Sequence, residues 1–352
     1  MLVEFGVDTF GDVTLDERGG LLPQAQVLRN VVAEGVLADQ VGLDVFSVGE
    51  HHRADFAVSA PEVVLAAIAG KTSRIRLGSA VTVLSTDDPV RVFQRFATID
   101  AVSGGRAEIT VGRGSFTESY PLFGFDMQQY DLLFEERLGL FAALLEQRPV
   151  TWSGKTRTPL SNVTVYPPVD GGRLRAWVGV GGSPDSVVRA ARYGLPLMLA
   201  IIGGSSSRFG PYVELFHKSL AQLGKPVLPI GVHSPGHIAA TDEQAREEAW
   251  PHYQTMMNRI GAERGWAPVG REHFEREVSH GALYVGAPET VAVKIVKTVR
   301  ALGLARFDMK YSSGTLPHEK LMASLELYGT RVIPLVREML ADRTTKDEIQ
   351  VL

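Results

Sequence analysis

The chain reads as an α/β protein of the (β/α)8 TIM-barrel class, on three observations. Short β-rich runs alternate with amphipathic stretches almost from end to end; about eight such units fit into 352 residues; and no shift in composition marks a linker between them. Alternation of this kind implies a parallel sheet covered by helices. Eight units in one chain favour closure into a barrel, an architecture that accepts insertions. An open, doubly wound sheet has the same periodicity, so the pattern alone leaves closure undecided.

The first strand is expected in LVEFGVDTF (2–10), followed by an amphipathic helix around Gln24 to Gln40. DVFSVG (44–49) precedes a helix opened by Pro61, whose missing N–H is not needed in a first turn. RIRLGSAVTVL (74–84) leads into a helix that starts at Asp88-Pro89 and stops near Gly104-Gly105. After RAEITVG (106–112) comes a longer connection and a helix over 131–147, then a stretch at 150–175 that reads as a β-hairpin excursion. The alternation resumes with RAWVGVG (175–181), LPLMLAI (195–201) and VLPIGVHSPGHIAA (227–240), with helices reaching Tyr193, near 212–223 and from Thr241-Asp242-Glu243. Residues 261–281 mix Gly, Pro and charges without a clear period and are expected as a long loop, a candidate lid. A helix over 288–302, the strand RFDMKY (306–311) and a helix over 317–340 complete a single domain, 1–345, with a short tail at 346–352.

Apolar residues make up 45% and charged residues 22%, with net charge −4, which places the chain among ordinary globular proteins without a basic footprint for nucleic acid. No apolar run approaches the ~20 residues of a membrane span. The absence of cysteine excludes disulfides, thiolate metal sites and cysteine nucleophiles. MLVEFGVDTFGD lacks a basic segment followed by an apolar run, so no signal peptide is expected and the protein is expected to be cytoplasmic.

Three motifs fall at expected strand ends, where a barrel gathers its chemistry. In FSVGEHHRADF, Glu50, His51 and His52 follow an apolar strand. Imidazole suits proton transfer near neutral pH, and a neighbouring carboxylate orients it. Adjacent residues at a strand end point to opposite sides, the wrong spacing for a zinc site; His233 and His237 are the remote alternatives. An ordinary polar loop is the plain alternative. In WVGVGGSPDSVV, Gly179, Gly181 and Gly182 lead to Ser183 as an N-cap and Pro184 at the first helical position, with Ser186 in the same turn. Such a helix start suits an anion, although Asp185 opposes a dianion, and a plain strand-to-helix turn has the same residues. Pro184 replaces the last glycine of a dinucleotide fingerprint. In ITVGRGSF, Arg113 between two glycines can reach the same anion from the neighbouring strand. More weakly, GGSSSR (203–208) reads as an anion loop or a connector, and Phe116, Tyr120, Phe123 and Phe125 as an apolar pocket wall or ordinary core.

Taken together, residues 42–114, VGVGGSPDSVVRAARYGLPL and the closing GTLPHEKLMASLELYGTRVIPLVRE resemble the bacterial luciferase-like flavin-dependent monooxygenases. The resemblance implies a (β/α)8 barrel, commonly dimeric, that uses FMN or a related flavin to oxidise a small organic substrate with O2. Reduced flavin is expected from a separate reductase, since no nicotinamide fingerprint is present. The family's catalytic histidine falls on His51, preceded by Glu50. Its phosphate-binding positions fall on Arg113 and on Gly181, Gly182, Ser183 and Ser186, with Gly182 standing where the luciferase large subunit has glutamate. Its non-proline cis peptide, in the third strand beneath the flavin ring, falls on Ser79–Ala80. The same barrel also serves deazaflavin-dependent dehydrogenases and non-catalytic flavin-binding proteins, which are the two alternatives.

Overall fold

A computed structural model describes residues 3–114, 116–170 and 172–342; the 346–352 tail lies outside them. Eight parallel strands form the barrel among the described residues: β1 (Glu4–Thr9), β2 (Val45–Val48), β3 in two pieces (Arg76–Ser79 and Thr82–Val83), β4 (Glu108–Gly112), β5 (Arg175–Val180), β6 (Leu197–Ala200), β7 (Ile230–Ile238) and β8 (Arg306–Lys310). Closure, which periodicity left open, is made by β3. Its first piece pairs with β2, its second pairs with β4, and a further bridge joins Leu77 to Ala107. β1 meets β8 to complete the ring, with Asp8 opposite Lys310. The strands are buried on both faces, and helices such as Gln24–Gln40 and Pro288–Leu302 supply the outer apolar layer.

The interior is polar on its lower level. Arg306 is wholly buried between Glu108 and Asp308, with 2.8 Å to Asp308 Oδ1 from its Nε. Gly6 leaves the room that Asp308 occupies: a Cβ there would lie 2.2 Å from Asp308 Oδ1. Burial works against the Arg306 charge, but Asp308 and Glu108 outweigh it and raise its pKa.

Two expectations are corrected. Residues 261–281 are not a long loop. Helix Asp242–Arg264 runs on to Gly265, whose φ of +70° ends it, and helix Arg271–His280 follows after a short connection. That second helix buries only Phe274 and Val278, four residues apart. One apolar pair is too little to show a period in a charged ten-residue segment. The non-proline cis bond is Ala80–Val81, one residue beyond Ser79–Ala80. Both sides of it are tied to the end of β2, Ala80 N–H donating to Val48 O (3.0 Å) and Glu50 N–H to Val81 O (3.0 Å).

The excursion at 150–175 contains the antiparallel pair Val150–Trp152 and Leu160–Val163. A short strand missed in the sequence, Tyr284–Gly286, extends the sheet on the far end of β7. No helix among the described residues is long and apolar enough to cross a membrane.

Candidate active site at the C-terminal mouth of the barrel

His51 follows β2 directly, its N–H bonded to Val58 O at 2.9 Å. Three phenylalanine rings enclose the imidazole: Phe10 at 4.6 Å between centroids, Phe56 at 4.7 Å and Phe116 at 5.2 Å. Burial lowers the His51 pKa to about 3; Asp12 pulls against that shift, while Lys310 and Arg53 add to it. The ring is therefore a neutral imidazole at any working pH, with one nitrogen carrying a proton and the other a lone pair.

The paired histidines diverge as a strand end requires. His52 Nε2 meets Glu50 Oε1 at 2.9 Å, and the ring stands edge-on to Phe123 at 4.9 Å. Glu50 is buried, and its other oxygen accepts the Val83 N–H at 2.8 Å. Its carboxylate thus ties His52 to the second piece of β3, and both of its oxygens are engaged away from His51. Ser79 is equally committed to the frame: its Oγ donates to Thr110 O (3.1 Å) and accepts from Thr82 Oγ1 (2.9 Å).

Val81, beyond the cis bond, occupies space that two glycines leave on the next strands. A Cβ on Gly112 would lie 2.8 Å from Val81 Cγ2, and one on Gly179 would lie 2.9 Å from Val81 Cγ1. On the other side, a Cβ on Gly49 would lie 2.5 Å from Ala80 O. The bulge is therefore accommodated by missing side chains at three strand ends.

Beyond Val81 lies the polar rim. Arg113 Nη1 reaches Asp131 Oδ1 at 2.8 Å and its guanidinium lies 5.0 Å from the Tyr130 ring centroid. Ser183 is the N-cap of helix Pro184–Tyr193 and makes no side-chain cap bond. Gly181 has open space where a Cβ would project, and Gly182, at φ +121°, is held through its carbonyl by the Tyr212 hydroxyl at 2.8 Å. Ser186 is buried and accepts from Arg189 Nη1 at 3.3 Å. Burial raises the Tyr130 pKa, with the Arg113 and Arg189 charges opposing, so one phenol lies in the field of both arginines. Arg189 and Tyr130 were missed in the sequence. Arg189 had a signal, three residues beyond Ser186 on one helix face.

Other expected residues part company. Phe116 and Phe123 border the histidines, whereas Tyr120 is wholly buried and Phe125 lies 4.3 Å under the Arg137 guanidinium. In the 203–208 loop the Gly204 N–H is taken by the Glu277 carboxylate (2.9 Å), the arrangement of a connector. Among the described residues no group of three or more His, Asp or Glu is gathered as a metal site. His233 and His237 have separate carboxylate partners, Asp8 and Glu248.

A profile described as luciferase-like monooxygenase matches residues 9–306. The chain belongs to the luciferase-like monooxygenase family. It is accordingly an oxidoreductase. The alkanal monooxygenase alpha chain of Photorhabdus luminescens is 24% identical over 364 residues, covering 94% of this chain and 98% of its own. Among solved structures, the oxygenating constituent of 3,6-diketocamphane monooxygenase from Pseudomonas putida, in complex with FMN, superposes with a TM-score of 0.74 at 18% identity, covering 95% of this chain and 99% of that one. The coenzyme F420-dependent tetrahydromethanopterin reductase of Methanopyrus kandleri superposes with a TM-score of 0.72, also at 18% identity and covering 95% and 99%. The fold is thus common to a protein solved with FMN and to an F420-dependent one.

Proposed function

We propose that this luciferase-like protein is a monooxygenase that uses reduced FMN and O2 to oxidise a small, largely apolar organic substrate. The observation that carries the reading is the neutral His51 inside three phenylalanine rings, on the same mouth as Arg113 and Ser186. The residues fit an isoalloxazine with a phosphate tail. Arg113, Ser183, Ser186 and Arg189, with the open backbone at Gly181 and Gly182, offer cationic and hydroxyl donors for the phosphate. Ala80 and Val81, backed by three glycines, offer a backbone ledge for the ring system. Reduced FMN bound there would supply the electrons that activate O2.

The chain's own part is then to exclude water and to manage protons. The phenylalanine wall keeps the mouth dry. His51 presents a proton on one ring nitrogen and a lone pair on the other, and Glu50 holds the frame through His52 and Val83. The protein acts as a cytoplasmic homodimer fed by a separate flavin reductase. Oxygen uptake with FMN, a reductase and a panel of small apolar substrates tests the reading. His51→Ala is expected to retain FMN affinity and lose about 10²–10⁴-fold in turnover. Normal turnover in that variant removes His51 from the mechanism. The deazaflavin reading, favoured by the matching F420-dependent barrel, is separated from this one by titrating both cofactors and comparing affinity. Flavin binding without oxygen uptake on any substrate would instead mark a binding protein.

A further inference from the structure

One pair at the mouth has no part in the preceding reading. His233, on β7, meets Asp8, on β1, with Nδ1 at 2.7 Å from Oδ2. Asp8 is wholly buried, and its other oxygen, Oδ1, has no hydrogen-bond partner among the described residues. The His233 side chain keeps 11% of its exposure, although the strand around it is buried. It pairs with Ala200, the last residue of β6, on one side and with Asp308 of β8 on the other. Phe10 links it to the established pocket, stacking on His233 at 6.3 Å and meeting His51 edge-on at 4.6 Å. One phenylalanine ring therefore lies between the two imidazoles.

The two histidines have opposite surroundings. Among the described residues no carboxylate is bonded to the His51 ring, whereas His233 has one behind it. With Asp8 ionised, the shared proton lies on Nδ1 and Nε2 is left as the base. The other charges nearby are engaged. Asp308, opposite His233 on β8, is bonded to Arg306 (2.8 Å), and Lys310, opposite Asp8, is bonded to Asp12 (3.0 Å). Among the described residues the imidazole is the one side chain hydrogen-bonded to Asp8, which gains a full counter-charge when Nε2 takes a proton.

We propose that His233, positioned by Asp8, is the base of this site, and that its substrate is a hydroxylated arene or an enol. The inference rests on the reading of this mouth as the reaction site and names the substrate class for it. Phe10, Phe56 and Phe116 give a planar ring its apolar walls. A saturated chain would offer a base nothing to remove; a hydroxylated ring offers the O–H proton. In the step, the substrate O–H bond breaks and an N–H bond forms at His233 Nε2. The electron pair stays on the substrate oxygen, which activates the ring toward an electrophilic oxygen donor, and Asp8 stabilises the imidazolium. No other group is oxidised or reduced.

The test needs no flavin. 4-Nitrophenol is added to the folded chain at a pH below its own pKa, and the phenolate absorption band is read alongside binding by equilibrium dialysis. The wild type is expected to hold the probe as phenolate. His233→Gln is expected to retain binding within about threefold while the phenolate band is lost, and Asp8→Asn to cut the bound phenolate about tenfold or more, since the imidazolium then lacks its counter-charge. Thermal melts of both variants confirm that the barrel is folded. A merely structural His233–Asp8 pair would leave the band unchanged in the two variants, and that result overturns the proposal. Absence of the band in the wild type at saturating probe overturns it as well. A His233-dependent band in a protein that never consumes oxygen with reduced FMN would sink the monooxygenase reading and leave this base standing.

Discussion

At the barrel's floor, Arg306 is wholly enclosed and still charged, because Glu108 and Asp308 grip it from two strands. At the mouth, His51 is almost as enclosed, yet Phe10, Phe56 and Phe116 surround it and no carboxylate among the described residues bonds its ring. Both regions remove an ionisable group from water. In one the charge is kept by partners; in the other the group is left without them and stays neutral. The difference teaches where chemistry can sit. A gripped charge is fixed in place and serves the fold, while an ungripped imidazole keeps a proton and a lone pair available.

The largest way to break this contrast is to remove the partner at the floor. Arg306→Met strands two buried carboxylates and is expected to cost about 3–5 kcal/mol in denaturant unfolding. A loss below 1 kcal/mol would mean that the floor charges are not truly desolvated. Next comes the boundary between the regions. Glu50→Leu leaves the Val83 N–H and His52 without their acceptor, at an expected ~1.5–3 kcal/mol, and unfolding curves read it directly. The smallest effect is a pH slope. Folded His51 stays unprotonated down to about 3, while the unfolded chain takes up a proton below the ordinary histidine value of 6.5. The unfolded state then binds more protons within that window, so His51's contribution is complete above it and is lost as pH falls. Stability should decline by at most ~1.4 kcal/mol per pH unit there. His51→Gln should flatten that part of the profile, and an unchanged slope would show that the ring titrates normally.

Much of this was legible in the sequence. Strand runs bounded by glycine and proline located all eight barrel strands, because a strand buried on both faces reads as a continuous apolar run. The divergence of His51 and His52 followed from the side-chain alternation of a strand end. What stayed hidden depends on distance across the fold. Asp8 and His233 are 225 positions apart, and only the closed ring brings β1 and β7 within reach across the interior. The partners of Arg306 in RFDMKY were equally hidden, since nothing local shows that Glu108 faces it. The cis bond likewise has no local signature in RLGSAVTVL, where small and β-branched residues leave every position equally plausible.

The fit of Val81 between Gly112 and Gly179 has a consequence for how such a sequence can drift. Neither glycine is free to change while Val81 stands. An alanine at 112 meets a branched, stiff side chain that has no other rotamer space to yield, whereas the same alanine is tolerated once position 81 has shrunk. The order of substitution therefore matters: Val81→Ala first and Gly112→Ala second is a passable route, and the reverse is not. In a double-mutant cycle the pair should couple by about 0.5–3 kcal/mol. The three residues act sterically as one unit, although more than thirty positions separate each from the next.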